Sequence, residues 1–378
     1  MTGKSEARSR RAIKSRRLGG WSGGTLIGIL MAGSFADPAN GADAGTSPWH
    51  FEASTRVRYE GYDGGYRPNG RESEDAVSFR TSVELGYEGD GLHGGFELRD
   101  SRAYAIDERT PLGSGDIDAL EIPQAWLAAD IGKHARLTAG RFLLNIGSKR
   151  LAADPGFRNA ANAFTGLRVD WRSMGAEATE VTAFYTLPDD RLPNDKPRVV
   201  RNSFAFDRER WELRFWGVHA SRKVGPIDGE LYVLGLDEND YPGSATRNRH
   251  LVTVGSRLRH KDKSGLYAEL EAMVQRGNIR TSKAEDAAKV PVRAWSLHAE
   301  AAYSFGGSWK PRLTLFGDFA SGDKAGTRSW ERFDALYGPR RADWGPTSLY
   351  SPLGRSNIQG GGLRLDVTPS QRFDAFVE

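Results

Sequence analysis

The chain contains no cysteine in 378 residues. That excludes disulfides and thiolate metal sites. It also lacks any apolar run near the roughly 20 residues a membrane-spanning helix needs. The seven histidines (His50, His93, His134, His219, His250, His260, His298) are scattered, with no His-x-x-x-His spacing. Beyond residue 42 no Gly-x-Ser-x-Gly elbow is present, and no phosphate-cradling Gly-x-x-x-x-Gly-Lys loop occurs anywhere. With these patterns missing, the expectation is a protein that is not an enzyme and uses no cofactor or bound metal. The mean hydropathy of −0.56 does not exclude a membrane protein, because barrel strands present only alternate residues to lipid.

Positive charge is also scarcer than the totals suggest. The chain counts 53 basic and 49 acidic residues, but seven basic and two acidic ones lie in the first 42, leaving 46 and 47 in the remainder. The high isoelectric point therefore belongs to the N-terminus and does not point to nucleic acid. Lys4, Arg8, Arg10, Arg11, Lys14, Arg16 and Arg17 form a basic region, a short apolar core follows at 25–35, and small residues surround Ala42-Asp43-Ala44. This is the layout of a secretory signal peptide. Residues 1–42 are expected to be the leader, and 43–378 the mature domain.

Residues 77–88 show what the mature domain repeats. Val77, Phe79, Thr81, Val83, Leu85 and Tyr87 alternate with Ser78, Arg80, Ser82, Glu84, Gly86 and Glu88. Successive strand side chains point to opposite faces, so this is a strand with one apolar and one polar face. About fifteen such segments follow one another: 49–60, 76–88, 92–101, 121–131, 134–144, 164–172, 176–187, 208–221, 227–236, 249–260, 265–276, 291–305, 309–320, 357–367 and 371–378. They run longer than the roughly 5–6 residues of ordinary soluble strands. Their connections alternate long and short, as in outer-membrane barrels with short periplasmic turns and long extracellular loops. The 45 glycines suit so many turns. Trp49, Tyr59, Tyr87, Tyr185, Tyr303 and Trp309 near segment ends suit interfacial girdles. The fold expected is all-β: an antiparallel transmembrane β-barrel touching outer-membrane lipid. A secreted soluble glycan-binding β-protein is the alternative.

Arginine is conspicuous on the face opposite the apolar one. Arg56, Arg58, Arg80, Arg99, Arg168, Arg172, Arg214, Arg257, Arg259, Arg312 and Arg364 are assigned there, interleaved with Glu52, Glu84, Glu97, Asp170, Glu212, Glu269, Asp318 and Asp366. Arg141, Arg150 and Arg158 are assigned to the same path. Guanidiniums in a confined lumen focus positive potential and pair with carboxylates. Two long loops add to this: 145–163, with Lys149, Arg150, Arg158 and Asn159, and 321–356, with Trp330, Arg332, Tyr337, Arg340, Arg341, Trp344 and Tyr350. Folded into the mouth they would narrow it.

Several stretches resemble a known family. Gly140-Arg141-Phe142, Gly147-Ser148-Lys149-Arg150-Leu151, Phe157-Arg158-Asn159 and Phe164-Thr165-Gly166-Leu167-Arg168 are similar to the alginate-export family of outer-membrane barrels. So are Phe333-Asp334-Ala335-Leu336-Tyr337-Gly338, Trp344-Gly345-Pro346 and Asn357-Ile358. The resemblance implies a monomeric eighteen-stranded barrel whose basic constriction passes an anionic polyuronate. Against that family count, the fifteen segments imply a chain truncated at its C-terminus. Phe142 stands where the family usually has glutamine, which implies a less polar lumen there. The solute expected is an anionic oligo- or polysaccharide. Small sugar acids or other small anions passing through a general porin are the alternative.

Overall fold

The computed structural model describes residues 27–35, 47–63, 72–175, 177–262, 264–339 and 354–378. Among the described residues sixteen strands run in chain order. The first eight are β1 (Ile27–Phe35), β2 (Trp49–Asp63), β3 (Ser73–Glu88), β4 (Leu92–Tyr104), β5 (Asp118–Ile131), β6 (Ala135–Leu143), β7 (Ala163–Arg172) and β8 (Thr179–Pro188). A short helix, α1 (Lys196–Val200), precedes β9 (Leu213–Val224), β10 (Ile227–Glu238), β11 (His250–Lys261), β12 (Leu266–Arg280) and β13 (Lys289–Ser304). β14 (Arg312–Ala320), β15 (Ile358–Ser370) and β16 (Phe373–Val377) complete the sheet. Each strand pairs antiparallel with its sequence neighbours, with β1 and β16 at the two edges of the described order. The fifteen expected segments correspond to β2–β16. β1 is additional: it falls in the apolar stretch read as the leader's core and pairs along β2 from Ile27↔Gly61 to Phe35↔Ala53. The basic residues of the leader and Ala42–Ala44 lie outside the described residues.

Register carries the two-faced pattern across the sheet, because directly paired residues share a face. Phe51, Leu85 and Phe96 form one row. The next row, on the opposite face, is Glu52, Glu84 and Glu97. Exposure then inverts the soluble norm: Leu127 and Leu231 are each 67% exposed, whereas Glu271 is 1% and Gln275 0% exposed. Aliphatic side chains left this open, strand after strand, need a cover of hydrocarbon. Connections 105–117, 144–162, 189–212 and 321–357 are long, whereas 89–91, 132–134 and 225–226 are tight turns. The sheet is the wall of an all-β transmembrane barrel. A charge on its outward face should therefore be costly. Leu270→Arg, in mid-β12, is expected to lose about 2–4 kcal/mol. The loss would be read as a lower urea midpoint for folding into lipid vesicles.

The inner face departs from a uniformly ionic wall. Phe142, Phe164, Phe184, Phe215, Leu234, Leu236, Leu251 and Met273 form one buried cluster there with Leu144, Leu151 and Ala152 of the 144–162 loop and Phe333 of the late loop. The two loops meet backbone to backbone: Tyr337 N donates to Leu151 O at 3.0 Å and Ala153 N to Tyr337 O at 3.3 Å. Gly338 is required at this crossing, since a Cβ there would sit 1.8 Å from Arg150 O. Folded-in loops thus fill the outer half of the barrel beside β6–β13, and strand residues facing them are apolar because they are covered.

Candidate functional site

Most of the expected path residues do share the inner face, but nearly all are neutralised. Arg99 pairs with Glu97 at 2.7 Å, Arg168 with Asp170 at 2.7 Å, Arg172 with Glu180 at 3.3 Å and Arg58 with Glu60 at 3.5 Å. Arg257 bridges Glu230 (3.0 Å) and Glu269 (2.7 Å), and Arg259 reaches Asp228 at 3.0 Å. Arg312 pairs with Glu300 at 3.4 Å and Arg364 with Asp366 at 2.7 Å. Asp318 accepts from the buried His298, Nδ1 to Oδ2 3.0 Å. Bidentate and networked pairs of this kind hold side chains in place while contributing little net charge.

Arg56 and Arg80 differ. Neither has a carboxylate partner among the described residues. Arg56 instead donates to Gly156 O (2.7 Å), Arg158 O (2.6 Å) and Asn159 Oδ1 (2.7 Å). Arg80 makes longer contacts, 3.4 Å each, to Gly156 O and Arg158 O. Arg58 adds a 2.7 Å bond to Phe157 O. The Gly156–Asn159 stretch is thus a loop whose carbonyl and amide oxygens clamp two guanidiniums side by side. Arg158 itself contributes its carbonyl here, with its guanidinium beside Gly115. Glu52, Glu84 and Glu97 line up two rows away on the same face, beyond the Ser54, Ser82 and Arg99 row.

Arg150 is the anchor of the folded-in loop. It is 6% exposed, and its Nη1 reaches Glu269 at 2.7 Å and Glu271 at 2.6 Å on β12. Ser148 and Tyr232 also donate to Glu271, at 2.9 and 2.6 Å. Arg355, which the sequence reading did not single out, donates to Arg150 O at 2.8 Å. Burial, with Arg150 close by, pulls the Arg355 guanidinium down to about 10. Each of the two residues lines a cavity. One, of about 870 Å³, is lined by Arg249, Trp330, Arg332, Asp334 and Arg355. The other, of about 850 Å³, is lined by Arg150, His298, Arg312, Arg364 and Asp366.

Two expected path residues lie on the other face. Arg141 pairs opposite Ala125 and Thr165, in register with the exposed Phe96. It is covered there by Glu209 (Nε to Oε1 3.0 Å) and Ile122 O (3.1 Å). Burial would raise the Glu209 carboxyl, but bonds from Thr165 and Arg141 outweigh it and hold it below the usual range. Arg214 pairs opposite Asp237, whose carboxylate is held by Trp216 and His250. Both sit near the long-loop ends of their strands, where a charged side chain can leave the apolar band. Glu212 precedes β9. The expected Phe142 does enter the inner apolar cluster, 4% exposed. Arg340, Arg341, Trp344 and Tyr350 lie outside the described residues.

The family model for alginate export matches residues 48–377. Among solved structures, OccAB1 of Acinetobacter baumannii shares 12% identity over 84% of this chain and 75% of its own, with a TM-score of 0.50. The loop-L8 deletion mutant of OmpT, an outer membrane protein of Vibrio cholerae, shares 13% identity over 79% of this chain and 93% of its own, with a TM-score of 0.29. No curated protein matches the sequence. The barrel wall, the long outer loops and a match over residues 48–377 converge: the chain belongs to the alginate-export family and is an outer-membrane transport channel of a Gram-negative bacterium.

Proposed function

We propose that the channel passes anionic saccharides by diffusion, alginate-like polyuronates first, as a monomer embedded in outer-membrane lipid. In this reading residues 1–42 are its export leader. The observation that carries the proposal is the Arg56/Arg80 pair. Among the described residues these inner-face cations make no ion pair with a carboxylate, and they are held in place by loop carbonyls. A sugar carboxylate could replace part of its hydration with their N–H groups. The surrounding ion pairs hold the wall rigid without binding the solute so tightly that it stays. Planar-bilayer recordings test this. Anion-selective current that is reduced by added polyuronate supports the proposal, and cation selectivity with no effect of polyuronate defeats it. The second reading, a general porin for small sugar acids, shares the anion preference. It is favoured by the cavities of only about 850–870 Å³ that Arg355 and Arg150 line, and it predicts block by monouronates and polymer alike.

The contribution of Arg355 to the width of the path is testable. Arg355→Ala removes its bond to Arg150 O and a bulky side chain from the cavity lining. Single-channel conductance should then rise roughly twofold, since conduction follows the narrowest cross-section.

A further inference from the structure

We propose that Asp118, Glu121 and Asp207 form a divalent-cation site of the Ca²⁺ type, which fastens the long loops to the barrel wall. This goes beyond the transport reading and holds whatever the solute is. Asp118 and Glu121 lie at the start of β5 and Asp207 far downstream in the 189–212 loop, yet one carboxylate oxygen from each lies within 4.8 Å of the others. Ligands on opposite sides of a Ca²⁺ ion stand about 4.6–5.2 Å apart, since each bond is about 2.3–2.6 Å. The set is all hard oxygen, with no histidine or thiolate, which suits Ca²⁺ rather than Zn²⁺.

The second observation is Asp118 itself. It is 2% exposed, and neither of its carboxylate oxygens has a hydrogen-bond partner. Burying such a group without a partner is costly. The nearby cations are engaged elsewhere. Arg99 is paired with Glu97 at 2.7 Å. Arg191 Nη1 donates to Ala161 O at 2.5 Å and Asn162 Oδ1 at 3.0 Å. Arg141 is turned to Glu209 and makes a longer 3.5 Å contact to Asp189 Oδ1. Asp207 Oδ2 and Asp189 Oδ2, next to the group, also lack partners. A dication would satisfy these oxygens at once. It would also draw together three parts of the chain: β5, the 189–212 loop through Asp207, and the 144–162 loop, whose Ala161 N donates to Glu121 at 3.2 Å.

The test uses the folded channel in non-ionic detergent, stripped with chelator and then given 1 mM Ca²⁺ or none. Wild type should bind about one tightly held Ca²⁺ per chain by equilibrium dialysis, and its Tm should rise by roughly 5 °C. Asp118→Asn should lose both the bound ion and the rise. Without Ca²⁺ its Tm should equal or exceed that of wild type, because a buried unpaired charge is gone; a merely structural Asp118 would not give that reversal. If Asp118→Asn does not fold, Asp207→Asn replaces it, and the wild-type dialysis stands alone. An unchanged wild-type Tm with no bound Ca²⁺, or a variant that keeps the full rise, overturns the proposal in favour of carboxyl groups sharing protons.

Discussion

Replacing Arg56 and Arg80 together with glutamine is expected to remove most of the channel's anion preference. Their direct contacts are carbonyl and amide oxygens, and among the described residues neither is in an ion pair. Glutamine keeps donors for the 156–158 carbonyls but removes both charges. The anion-to-cation permeability ratio, read from reversal potentials in a salt gradient, should fall by roughly tenfold. The effect should shrink at high ionic strength, where the Debye length contracts to about 3 Å at 1 M. Removing an already neutralised cation, as in Arg364→Gln beside Asp366, should change the ratio much less. Equal effects of the two replacements would show that the unpaired cations have no special role.

Arg150→Ala should give the largest change in structure. It strands Glu271, which is 1% exposed, with only Ser148 and Tyr232 as donors. Glu269 keeps Arg257 at 2.7 Å. Breaking a buried pair by removing one partner costs about 3–5 kcal/mol. The barrel hydrogen bonds do not depend on this contact, so the loss should appear as release of the 144–162 loop rather than global unfolding. Trypsin should then cut at Lys149 in the folded channel at least tenfold faster, with larger and noisier conductance. An intact loop and unaltered current would contradict the anchoring role.

The strand pattern was readable because lipid contact and water contact alternate residue by residue. All fifteen expected segments are strands, and β3 carries its apolar and polar sets on the faces that Val77–Glu88 implied. What failed was local. At β9, Phe215 and Trp216 are both aromatic, so hydrophobicity could not tell which one faces inward, and Arg214 was assigned to the wrong side. Phe215 points inward because Tyr337 of the late loop packs against it, ring centroids 5.0 Å apart. At β6 the same covering puts Phe142 inside and Arg141 outside. Inner apolar residues are thus the signature of folded-in loops, and a reading that equates polar with inward errs wherever such loops pack. Arg355 and the Asp118, Glu121 and Asp207 group were invisible for a different reason: their partners are brought together only by the fold.

The absence of cysteine allows a direct test of the two-faced wall. Single cysteines at each position from 165 to 171 on β7 can carry nitroxide labels in a reconstituted bilayer. With the wall as described, labels at 167 and 169, where Leu167 and Val169 are 54% and 38% exposed, collide with dissolved oxygen in lipid. Labels at 168 and 170 collide instead with a water-soluble nickel chelate. The reverse alternation, or none across the strand, would contradict the channel.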